Sequence, residues 1–167
     1  YDQLRRSAAA FIGVDCEGTE GAKGAHGPLM VQVASDTLVV VETPEVGGRY
    51  SKELKELMAD SSIGKVFCQG KDDLVALGRT CPPLSVKGRT IDVKDLTTLP
   101  KNPVPGLAAI LTDADPEGAA WTKQNFKKRG WWKLQTSQEM VDEPGFVKYA
   151  AADAWGTLKA YRMLAGT

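Results

Sequence analysis

The stretch Phe11-Ile12-Gly13-Val14-Asp15-Cys16-Glu17 reads as a short buried strand that ends in two carboxylates one residue apart. Side chains alternate along a strand, so Asp15 and Glu17 point the same way, their Cβ atoms about 6 to 7 Å apart at a rise of roughly 3.3 Å per residue. Two carboxylates can close that span around a divalent cation. An ordinary strand end running into a polar loop would look the same on its own. Toward the other end of the chain, Tyr149 and Asp153 are four residues apart in a helical stretch, which puts them on one helix face roughly 6 Å apart. Ala150-Ala151-Ala152 between them leaves that helix free to approach a sheet closely. Taken singly, Tyr149 is equally a core tyrosine and Asp153 a capping or solvated acid. Asp73 follows Asp72 in the first turn of another helical stretch, where the helix dipole favours acids, so by itself it is a helix-start residue. Hard cations require oxygen ligands, and the chain supplies carboxylates without a His or Cys cluster.

One stretch joins cations to aromatic rings: Lys123-Gln124-Asn125-Phe126-Lys127-Lys128-Arg129-Gly130-Trp131-Trp132-Lys133. This mixture suits single-stranded nucleic acid, because Lys123, Lys127, Lys128 and Arg129 can follow phosphates while Trp131 and Trp132 stack on bases for about 1 to 3 kcal/mol each. The competing reading makes the tryptophans part of the core and the lysines a solvated face. His26, the only histidine, falls in a glycine-rich loop and reads as a loop or substrate-edge residue.

The composition narrows the classes. At 167 residues the chain has the length of one domain that buries a sizeable core without disulfides. Its 21 basic and 21 acidic residues cancel, so contact with a polyanion must come from a local patch. The three cysteines, Cys16, Cys68 and Cys81, are odd in number and show no zinc-ligand spacing, which implies a reducing intracellular compartment, cytoplasm or nucleus. No apolar run reaches the roughly 18 residues of a membrane span, and the N-terminal residues have no signal-peptide core. The start at Tyr1 gives the expectation of a piece cut from a longer protein, whose missing flanking regions would carry any protein partners.

The elements that must position these residues follow in order. After the first strand, the glycine-rich connection 18–28 reads as a long hairpin loop. Strands are expected around Leu29 to Ala34 and Leu38 to Val41, forming an antiparallel meander with the first. Leu54, Leu57 and Met58 recur at helical spacing behind a Ser51 N-cap. Lys65-Val66-Phe67-Cys68 predicts a fourth strand, Lys71 to Leu77 a helix, and Arg89 to Val93 a fifth strand. Residues 104 to 134 read as short helices broken by Gly and Pro. Phe146 to Leu164 is the longest helix, with Val147, Ala151, Ala154, Leu158 and Tyr161 as its apolar stripe and Tyr149 and Asp153 on a second face. A meander, then alternating helix and strand, then helices, is the order of an α/β layer fold with a mixed sheet.

Asp15-Cys16-Glu17, then Gly27-Pro28-Leu29-Met30-Val31-Gln32-Val33-Ala34, then Lys71-Asp72-Asp73-Leu74, then Tyr149-Ala150-Ala151-Ala152-Asp153-Ala154 resemble, in order, the motifs of the DEDDy 3′-5′ exonucleases, the ribonuclease D and Werner exonuclease group. The resemblance spans nearly the whole chain, and Asp15 to Gly18 with His26-Gly27 looks most like the Egalitarian-type branch. It implies an RNase H-like fold: a mixed five-stranded sheet of antiparallel meander plus parallel strands, flanked by helices, in a single exonuclease domain over residues 1–167. It also implies that Asp15, Glu17, Asp73 and Asp153 are metal-binding acids for two Mg²⁺ or Mn²⁺ ions and that Tyr149 orients the attacking water. Only the spacing to Leu74 selects Asp73 over Asp72.

Two functions from different classes follow. One is a metal-dependent 3′-5′ exonuclease acting on single-stranded nucleic acid, RNA favoured over DNA by the branch resemblance. The other is an inactive exonuclease-like domain that binds RNA or a protein. A domain kept only for binding is free to lose one of the five active-site positions, and all five are present here.

Overall fold

The computed structural model describes residues 1–8, 10–19, 26–115 and 130–167, with the backbone alone at Trp132. Five strands form one sheet in the order β3-β2-β1-β4-β5: β1 (Phe11–Glu17), β2 (Met30–Ala34), β3 (Val39–Glu42), β4 (Gly64–Phe67) and β5 (Thr90–Asp92). The first three are the expected antiparallel meander, with Asp15 opposite Gln32 and Val33 opposite Val40. Strands β4 and β5 add in parallel on the other side of β1, through Ile12 opposite Lys65 and Val66 opposite Ile91. The sheet therefore mixes both senses, as the element order predicts.

Alternation along β1 assigns its two faces. Ile12, Val14 and Cys16 pack into a core with Leu54, Leu57 and Met58 of α2 (Lys52–Ala59) and Leu77 of α3 (Lys71–Leu77). Helix α2 starts where the sequence places it, with the Ser51 hydroxyl accepting from the Leu54 amide at 3.1 Å. On the opposite face, α4 (Leu107–Ala114) and α6 (Phe146–Ala165) cover Val66, Ile91 and the half-buried Phe11 with Leu107, Ile110, Leu158 and Tyr161. Helices thus lie on both faces of the mixed sheet.

Lys65 points inward from β4 and is fully buried. Its ammonium donates to the carbonyls of Asp60, Ile63 and Lys87 at 2.5, 2.8 and 2.9 Å, so the charge ties the loops around β4 rather than serving chemistry. Burial lowers its pKa.

Two short helices are not anticipated from the sequence. Helix α1 (Asp2–Ser7) is one and a half turns and buries only Leu4, too little pattern to read. Helix α5 (Ser137–Asp142) did leave a signal: Thr136 and Glu139 form a reciprocal capping box, the T-x-x-E spacing that marks a helix start. In the 104 to 134 region α4 is present, and residues 116–129 lie outside the described residues. The face of α6 also needs correcting. Asp153 is not opposite the apolar stripe but lies within the buried side, beside Ala154 and in line with Ala150 and Thr157.

That placement has a cause in Gly13. A Cβ on Gly13 would sit 2.2 Å from the Ala154 carbonyl oxygen and 3.0 Å from the Leu158 backbone nitrogen, so α6 touches β1 where only hydrogen fits. Ala154 adjoins Asp153, and Gly13 lies two residues before Asp15 on the same face. The contact thus sets how near the acids of the two elements come. Gly13→Ala is expected to destabilise the protein by about 3 kcal/mol through overpacking against backbone that cannot rotate away. Denaturant unfolding measures it, and wild-type stability in the variant would mean α6 is seated by something else.

Candidate active site

Strand β1 delivers Asp15 and Glu17 at its C-terminal end, and α6, crossing the sheet at Gly13, brings Asp153 down beside them. One carboxylate oxygen from each of the three lies within 4.8 Å of the others. Asp15 and Glu17 are half-buried and Asp153 is buried. The site lies at the carboxyl end of β1, the strand that pairs antiparallel with β2 on one side and parallel with β4 on the other. The expected facing pair on β1 and the helix acid are therefore brought together.

The donor set fits a hard divalent cation: three carboxylate oxygens, close enough to repel each other without a positive charge between them. Cys16, between the two β1 acids, points to the opposite face. Its burial, together with the charges of Asp73, Asp15 and Glu17, pushes its thiol well above the ordinary range, which removes it as a soft thiolate ligand.

Asp73 stands at the start of α3, buried and outside the trio. Burial first, then the charges of Asp72 and Asp92, push its carboxyl up to about 7. Its neighbour Asp72 is exposed, so of the two acids Asp73 is the one turned inward. How α3 begins was not legible from the sequence. Asp92, the last residue of β5, accepts from the backbone amides of Gln69 and Gly70, both at 2.9 Å, and pairs with Lys94 at 3.1 Å. Gln69 adopts a left-handed φ of 58°, and a side chain on Gly70 would meet Phe67 at 2.3 Å. This clamp positions the first turn of α3 and hence Asp73. Its sequence signal was only an acid in a three-residue strand.

The raised Asp73 carboxyl has a measurable consequence for the metal-free protein. Between its unfolded value near 3.8 and about 7, the folded state holds a proton that the unfolded state has released. Stability therefore falls as pH rises through that window, with an upper bound of about 4 kcal/mol. In EDTA, melting temperatures should drop from pH 5 to pH 8, and Asp73→Asn should flatten the slope. Equal slopes in wild type and variant would show that Asp73 is not the group responsible.

Tyr149, one turn before Asp153 on α6, is half-buried. Burial, then the charges of Asp153 and Glu17, a hydrogen bond to Asp153 and the charge of Asp15 all raise its pKa, so the phenol stays protonated. Its ring packs at 5.2 Å from that of Trp131 and 6.1 Å from that of Phe146. Trp131 is packed: it is 7% exposed and its indole donates to Glu143 at 2.9 Å. It is the wall behind Tyr149. Helix α5 ties this wall to the sheet through Ser137, whose hydroxyl donates to the Leu29 carbonyl at 2.7 Å.

His26 is exposed and is not part of the acid cluster. Lys123, Lys127, Lys128 and Arg129 lie outside the described residues, as does the side chain of Trp132. Among the described residues no helix is long and apolar enough to cross a membrane.

No protein-family model matches the sequence, and no curated protein does. Solved structures do resemble the fold. Escherichia coli RNase D, an exoribonuclease involved in structured RNA processing, aligns with a TM-score of 0.73 and 18% identity over 99% of this chain and 40% of its own. Brucella melitensis NrnC with bound Mg²⁺ aligns with a TM-score of 0.68 and 18% identity over 98% of this chain and 75% of its own. Trypanosoma brucei RNase D in complex with RNA U12 aligns with a TM-score of 0.66 and 20% identity over 99% of this chain and 58% of its own. The chain thus spans less than two thirds of either RNase D. By architecture, the chain shares the fold of these RNase D and NrnC structures.

Proposed function

We propose that this chain is a metal-dependent 3′-5′ exonuclease that hydrolyses phosphodiester bonds at the 3′ ends of single-stranded nucleic acid, RNA in preference to DNA. The observation that carries the proposal is the convergence of Asp15, Glu17 and Asp153 within 4.8 Å, one turn of helix from Tyr149. The likeness to an RNase D in complex with RNA and to NrnC with bound Mg²⁺ supports the choice of substrate class and ion.

In this reading Asp15, Glu17 and Asp153 would hold one Mg²⁺ or Mn²⁺, and Asp73 would help to hold a second. When bound, such ions lower the pKa of an attacking water and neutralise charge on the leaving 3′ oxygen. The chain's own residues do the rest. Tyr149 keeps its proton and offers a hydroxyl that aims the water. The packed walls of Trp131 and Phe146 hold that ring in one orientation.

The test uses single-stranded RNA and DNA labelled at either end, with Mg²⁺ or Mn²⁺ and with EDTA. A 3′ label should leave at once as a mononucleotide, a 5′ label should give a ladder shortening with time, and EDTA should stop both. Binding of RNA without any degradation under either metal would instead make the chain a binding domain.

A further inference from the structure

We infer that Gln32 is a positioning residue that aims the Asp15 carboxylate into the acid cluster. Gln32 is the middle residue of β2, fully buried, and directly opposite Asp15 in the antiparallel ladder. Its neighbours Val31 and Val33 are buried aliphatics, and a third would sit in this strand without the cost of burying an amide. With the amide turned so that its nitrogen faces acceptors, Gln32 donates to Asp15 Oδ2 at 3.2 Å and to the Asp15 carbonyl at 2.9 Å. The first bond restrains rotation of the carboxylate, and the second fixes the backbone that carries it. Groups behind a metal ligand commonly change metal affinity or activity by about 10- to 100-fold when removed.

The inference rests on the nuclease reading, so the experiment separates the two. Binding of Mn²⁺ alone is followed by the electron paramagnetic resonance signal of the free ion, for wild type and for Gln32→Met, which keeps the length of the side chain and removes its donors. The expected result is binding to wild type and about 10-fold weaker binding to Gln32→Met. The Mn²⁺ concentration for half-maximal RNA degradation should shift in parallel, with most of kcat recovered at saturation. A loss of melting temperature alone, with Mn²⁺ affinity and metal dependence unchanged, would make Gln32 a packing residue and overturn the inference while the nuclease reading stands. Wild type that binds no Mn²⁺ overturns both. If Gln32→Met does not fold, Gln32→Asn, which withdraws the amide by one methylene, is judged by the same criteria.

Discussion

Asp15→Asn is expected to lower RNA degradation by at least about 10³-fold while the metal-free domain stays folded and melts higher than wild type. The two halves have one cause. Asp15 is one of three carboxylates whose oxygens lie within 4.8 Å, so in the metal-free protein it contributes mainly repulsion. At such a spacing and an effective dielectric near 20, each pair of charges costs roughly 3 kcal/mol before solvent screening, and half-buried groups retain on the order of 1 kcal/mol. Asparagine removes that charge yet keeps an oxygen for the Gln32 amide, which alanine would leave facing a void. Asp15→Ala should therefore lose activity equally but gain less stability. Losing the ion-holding charge forfeits several kcal/mol of transition-state stabilisation, hence the three or more decades in rate. A time course on 5′-labelled RNA and melts in EDTA measure both halves. Full activity in either variant would remove Asp15 from the chemistry.

The parts of the site that were legible in the sequence are those set by local periodicity. A separation of two on a strand and of four on a helix fixes relative direction without knowledge of the fold, and Asp15 with Glu17 and Tyr149 with Asp153 follow those rules. What brings the pairs together is the crossing of α6 over Gly13. The signal for it is the absence of a side chain at one position, which alternation of apolar residues does not register. The pattern turns Asp153 outward on α6 for a related reason: small residues such as Ala150 and Gly156 let the buried side of the helix be wide, and an acid at its edge looks polar and outward. Trp131 beside lysines is compatible with stacking or packing until its burial is known. The Asp92 clamp is tertiary, joining the end of one strand to the start of a helix that precedes it by some twenty residues, and no local rule predicts such a partner.

The expected result for Tyr149→Phe is a fall in kcat of about 10²-fold with RNA affinity unchanged. Phenylalanine keeps the ring, and with it the contacts to Trp131 and Phe146 that seat this turn of α6. Only the hydroxyl is lost. That hydroxyl lies among acids whose charges, together with burial, hold its pKa far above neutrality. A group that cannot release its proton at working pH cannot be the general base, so its contribution is to orient the nucleophile through a hydrogen bond. Orientation is felt in the transition state and not in the ground state, which places the loss in kcat and leaves binding alone. Single-turnover degradation at saturating enzyme isolates that step from product release. If Tyr149→Phe cleaves at the wild-type rate and binds RNA more weakly, the hydroxyl contacts substrate. Tyr149 then belongs to recognition, and the attacking water must be aimed by another group.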